Sequence, residues 1–124
     1  MAAWQDNEAT VKLLTIEGKA QLEARDEKGQ TPLHLAAWEG QTNTAKTLLA
    51  LGANKEAKDN DQCTPLHLAA WQGNLATVKE LVSQGANIKA KDKRGRTPAD
   101  WARSEKHPPI LNYLNKANKR GRRH

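Results

Sequence analysis

TPLHLAAWEG at residues 31–40 returns as TPLHLAAWQG at 64–73, and a degraded copy, TPADWARSEK, begins at Thr97, so related segments stand 33 residues apart. A fixed period of this length constrains the fold more than any local preference, because each copy must be one structural unit packed against the next. Aligning 26–58 with 59–91 gives identity at 18 of 33 positions. The N-terminus joins at an offset of 34, with Ala2-Ala3-Trp4 on Ala36-Ala37-Trp38 and Gly18 on Gly52.

Each unit reads as two short antiparallel helices and an extended arm. Thr31 and Thr64 suit the N-cap of a first helix, with Pro32 and Pro65 at its first position, where a missing N–H costs nothing. Gly40 and Gly73 end that helix. A second helix is expected over 42–51 and over 75–84, closed by Gly52 and Gly85. The arms that follow turn at Asp-x-x-x. Neither helix is long enough to stand alone, so each unit needs a neighbour to cover its apolar face.

Composition agrees with close helix packing. The chain has no phenylalanine, one tyrosine and four tryptophans, which leaves alanine and leucine to build the core. No apolar run reaches the roughly 18 residues of a membrane span, and MAAWQDNEAT does not resemble a secretory signal. The single cysteine, Cys63, allows no internal disulfide. These features set the expectation of an intracellular protein, cytoplasmic with a nuclear alternative.

The repeated TPLHLAA, with GAN following at a constant distance, resembles the ankyrin repeat. The resemblance covers residues 2 to about 115 and implies an all-α solenoid of paired antiparallel short helices with projecting hairpin-like turns. The units are drawn as an abbreviated N-terminal repeat over 1–25, full repeats over 26–58 and 59–91, a capping repeat over 92–115 and a basic flexible tail over 116–124. The first unit lacks TPLH, so Met1 either starts a naturally short cap or the chain is cut from a longer array. That end is expected to be weakly folded or a contact surface. Departures from the repeat cluster at Gln62, which stands at a turn glycine, at Lys55 in the arm, and in the last unit. There Ala99-Asp100 replaces Leu-His, Arg103 and Lys106 replace Ala and Gly, and Asn115 replaces a core leucine.

The resemblance also implies structural roles for Thr31, His34, Thr64 and His67, each histidine bonding the threonine of its own motif and a neighbouring backbone carbonyl. One histidine per 33 residues is not metal-ligand spacing. Cys63 stands four residues before His67 near a helix N-terminus, a place that can depress a thiol pKa, but it is expected at an exposed turn with His67 pointing into the stack. No phosphate loop, nucleophile elbow or HExxH pattern occurs, so no catalytic residue, cofactor or metal is expected.

Trp4, Trp38 and Trp71 share one phase of the repeat, which the resemblance places at the groove end of the first helix. Stacked helices lie about 8–10 Å apart, so the rings are expected to form a ladder with that step, either sealing the inner helix row alone or also touching a partner. Trp101, at the phase of Leu35 and Leu68, is expected in the core. The candidate protein-binding residues are therefore Trp4, Gln5, Trp38, Glu39, Trp71 and Gln72 in the groove. At the turns they are Glu27, Lys28 and Gln30, then Asn60, Asp61 and Cys63, then Lys93, Arg94 and Arg96. Of the net charge of +6, five cations without an acid lie in 116–124: Lys116, Lys119, Arg120, Arg122 and Arg123. Residues 1–115 thus carry only +1. This tail reads as a solvated end, with nuclear import or phosphate contact as the alternatives. The expected function is a non-catalytic adaptor that binds a protein through the groove and turns. The alternative is an accessory protein that binds nucleic acid or another polyanion through its basic C-terminal end, and monomer or weak self-association is expected.

Overall fold

The computed structural model describes residues 22–121, with the side chains of 119–121 outside the description. The expectations for Trp4, Gln5, Arg122 and Arg123, and for the abbreviated first unit up to residue 21, lie outside the described residues. Over the described chain the order is α1 (Pro32–Glu39), α2 (Thr42–Ala50), α3 (Pro65–Gln72), α4 (Leu75–Ser83), α5 (Pro98–Ser104) and α6 (Pro108–Gly121). No strand occurs among these residues. Helices α1, α3 and α5 form an inner row, and α2, α4 and α6 an outer row. The fold is an all-α repeat solenoid.

The inner helices begin as the motif requires. Thr31 Oγ1 accepts the His34 N–H (3.4 Å), while His34 Nδ1 accepts the Thr31 N–H (3.1 Å). Thr64 and His67 repeat this box at 3.1 and 3.4 Å. Two orphan donors at the helix start are thereby satisfied reciprocally. In α5 the carboxylate of Asp100 accepts from the Thr97 N–H (3.0 Å), so the box survives the loss of histidine. The core between the rows is aliphatic: Leu33, Leu48, Leu66, Leu68, Leu81, Ile110 and Leu114 are all essentially sealed from solvent. Each such side chain contributes about 1.5–3 kcal/mol on burial. Between the outer helices, the Thr42 and Thr77 hydroxyls share a 2.8 Å hydrogen bond.

The arms turn on aspartates. Asp26 Oδ1 accepts from the N–H groups of Lys28 and Gln30, Asp59 Oδ1 from those of Asp61 and Cys63, and Asp92 Oδ1 from those of Arg94 and Arg96. Adjacent turns are joined by backbone bonds from Asn60 N–H to Lys28 C=O (3.0 Å) and from Lys93 N–H to Asp61 C=O (2.9 Å). Gln62 keeps the left-handed geometry of its glycine counterparts, at φ 64° against 76° for Gly29 and 79° for Gly95. The turn is not rebuilt around the missing glycine; it carries the strain of a side chain in that region. Lys106, at the phase of Gly73, does the same at φ 61°.

The last helix runs across one of the drawn boundaries. The apolar pattern ends at Leu114, but α6 runs to Gly121, so the limit drawn between 115 and 116 falls inside a helix. Asn115 and Lys116 are exposed, which is why an apolar pattern cannot follow the helix further.

Candidate functional site

The two histidines are structural, with both ring nitrogens engaged. His34 Nε2 lies 2.8 Å from the Cys63 carbonyl, and His67 Nε2 lies 2.8 Å from the Arg96 carbonyl. A carbonyl only accepts, so Nε2 carries the proton and Nδ1 is left to accept from the threonine N–H. Burial pushes both imidazoles below their ordinary pKa, although the carbonyl bonds oppose it. Each histidine thus pins the next turn to its own inner helix.

The tryptophans form a column with a shorter step than helix spacing suggests. Trp38 and Trp71 meet edge to face with ring centroids 5.0 Å apart. Trp71 then stacks on Trp101 at 4.2 Å and an interplanar angle of 15°. The spacing of 8–10 Å belongs to helix axes, and the indoles close the gap between them. Trp101 is buried, as expected of a core residue, but it is also the third member of the column. Its phase differs from that of Trp71 by one helical turn, because Ser104 occupies the equivalent position and residues i and i+3 share a face. The signal was present in the sequence as that spacing.

Asp92 anchors the far end of the column. Its Oδ2 accepts the Trp101 indole N–H (3.0 Å) and lies 3.3 Å from Arg96 Nε in an ion pair without hydrogen-bond geometry. The Arg96 guanidinium sits 3.9 Å from the Trp101 ring centroid. Since Trp71 covers one face of that ring, Arg96 takes the other. Burial opposes ionisation of Asp92, but the N–H groups of Arg96 and Arg94, the indole and the Arg96 charge outweigh it and hold the carboxyl below its ordinary range.

Two hollows lie where the turns meet the inner helices. The first, of about 760 Å³, gathers Glu27, Lys28, Gln30 and Trp38, together with Arg25 and Leu35. The second, of about 500 Å³, gathers Asp61, Cys63, Trp71, Lys93, Arg94 and Arg96, and includes Trp101 and Asp92. Glu39 and Gln72 are exposed at the ends of α1 and α3 and line neither hollow. Asn60 is also outside them, and its side-chain amide donates to the Glu27 carbonyl (3.0 Å) to tie the turns together.

Cys63 is a correction. It is buried at 3% exposure rather than displayed at the turn tip. Burial, with the charges of Asp59, Asp92 and Asp61, pushes its thiol up to about 12. The helix terminus does not activate the thiol, because the sulfur is buried and faces carboxylates, and a thiol so placed is a poor nucleophile. Sequence reasoning also passed over Arg25, whose Nη1 donates to the Lys58 carbonyl (2.7 Å), a link that Lys58 Nζ repeats to the Lys91 carbonyl (3.4 Å). The in-phase cations at 25 and 58 were its signal. His107 likewise takes the phase of Asn74: its Nε2 lies 3.0 Å from the Trp71 carbonyl, and Asn74 Nδ2 donates to the Ala37 carbonyl (3.0 Å).

A sequence profile described as ankyrin repeats (3 copies) matches residues 1–92 and again 55–122. The chain belongs to the ankyrin-repeat family. Ankyrin repeats generally mediate protein–protein interaction and are typically non-catalytic. No curated protein matches the chain significantly. No helix among the described residues is long and apolar enough to cross a membrane.

Proposed function

We propose that this ankyrin-repeat chain is a non-catalytic adaptor that seats a protein segment along the Trp38–Trp71 edge of the column and in the two turn hollows. The observation that carries the reading is the half-burial of Trp38 and Trp71 in a row whose Trp101 end is fixed by Asp92 and Arg96. A large aromatic that is packed on one side and open on the other offers contact area at little ordering cost. The aspartate bonds within each turn, and the histidine bonds to the turns of 59–63 and 92–96, order the hollows before any partner arrives. A photo-crosslinker placed at Lys28 or Gln72 is expected to capture protein in extracts of the source cell, while the same group at Lys46 or Ser83 on the outer helices captures none. Equal capture at both sets, or capture only from the outer helices, contradicts the groove.

A second reading rests on α6, which continues as helix through the basic segment from Lys116 to Arg120. That segment suits a polyanion, with phosphate contacts whose strength falls steeply with salt.

A further inference from the structure

The first hollow lies at the turn of residues 26–30 and the second where the turns of 59–63 and 92–96 meet, and the two differ in charge. In the first, Arg25 and Lys28 balance Asp26 and Glu27. In the second, Asp92 is already satisfied by Trp101 and by Arg96, so its charge is turned inward. What faces outward is Lys93 and Arg94, exposed, against the single carboxylate of Asp61. Neither Lys93 nor Arg94 enters an ion pair among the described residues. The surroundings reinforce the difference. Residues 22–91 hold eight cations and eight acids, whereas 92–121 hold eight cations and three acids, a net of +5.

From this we infer that the second hollow recognises an acidic protein segment: one or more carboxylates on Lys93 and Arg94, followed by an apolar side chain lying on the Trp71 edge toward Trp38. The inference rests on the groove reading above and gives it a partner chemistry and a direction. Charge complementarity selects the occupant, since opposite potentials steer encounter and like charges exclude the wrong ligand. A nucleic acid fits the hollow less well. Its phosphates would meet Asp61, and Trp101 has no free face for a base, because Trp71 and Arg96 cover both.

The test is selection of an unbiased library of displayed 12-residue peptides against the full chain, followed by titration of the winners into charge variants. The expected winners carry Asp or Glu to one side of an apolar residue. Their Kd rises about tenfold or more in a Lys93→Glu/Arg94→Glu double variant at low salt, and this gap narrows in concentrated salt. Asp61→Lys is expected to tighten binding by about threefold, a gain that misfolding cannot imitate. Winners without acidic enrichment, or indifferent to both charge changes, overturn the inference while the groove reading stands. No peptide winners, with a 30-nucleotide oligo-dT bound in a steeply salt-dependent manner, overturns both. No binding by any of these probes also overturns both.

Discussion

His34 and His67 make this fold sensitive to acid through geometry, not chemistry. Each is neutral in the native chain, with Nδ1 committed as an acceptor, and burial lowers its pKa below the ordinary value near 6.5. The unfolded chain therefore takes up these protons first. The stability they confer is complete above about pH 6.5 and is lost as pH falls below it. Two such groups make the slope steeper than either alone. Asp92 and Asp100, both held below the carboxylate range, add a separate loss that begins only near pH 4. Urea titrations at pH 7.5, 6.0 and 5.0 should show the first loss, and His67→Gln should remove about half of its slope. A flat profile between 7.5 and 5.0 contradicts the assigned tautomers. At Gln62, φ 64° predicts the opposite kind of result. Gln62→Gly should raise stability by about 1 kcal/mol at an unchanged denaturant slope, because a Cβ in the left-handed region costs about that much.

The elements divide by how openly the sequence declares them. Inner helices were legible to the residue, since threonine, proline and the terminal glycine each have one physical reason to stand where they do. The outer helices were legible from apolar spacing, with ends within a residue of those found. The helix α6 was not legible past Leu114, because a helix that leaves the core loses its periodic signal while keeping its hydrogen bonds. Deleting 116–124 should therefore remove helical circular dichroism yet leave a single cooperative unfolding transition, with less than about 1.5 kcal/mol lost. Leu114→Ala, by contrast, should cost about 2–5 kcal/mol as a sealed core leucine. A broad or biphasic transition in the truncated chain shows that the basic segment is structural. The candidate site was half legible. The phase of Trp38 and Trp71 was plain from the repeat, and so were the turns. The core position of Trp101 was legible but its place in the column was not, because alignment by phase hides a neighbour one helical turn away. Cys63 was misplaced because a turn position does not reveal which side chain folds inward.

Across the whole molecule, the repeat supplies a scaffold, and in the proposed function the departures from it supply specificity. Replacement of Leu by Trp at 101 and the cations at 93, 94 and 96 make the last turn unlike the first. On the proposed reading they turn one of the two hollows toward anions. In the proposed groove the column separates recognition from support: Trp101 is closed by Asp92, Arg96 and Trp71, whereas Trp38 and Trp71 keep an open side. The four indole N–H groups give a direct measurement of this division. In a nitrogen–proton correlation spectrum of the full chain titrated with a selected 12-residue acidic peptide, the account predicts large shifts in the Trp38 and Trp71 indoles and in the backbone amides of 60–63 and 93–96. The Trp101 indole, bonded to Asp92, and the amides of α2 and α4 should stay nearly fixed. Shifts concentrated on α2 and α4, or on α6 beyond Leu114, with the Trp38 and Trp71 indoles unmoved, would contradict it.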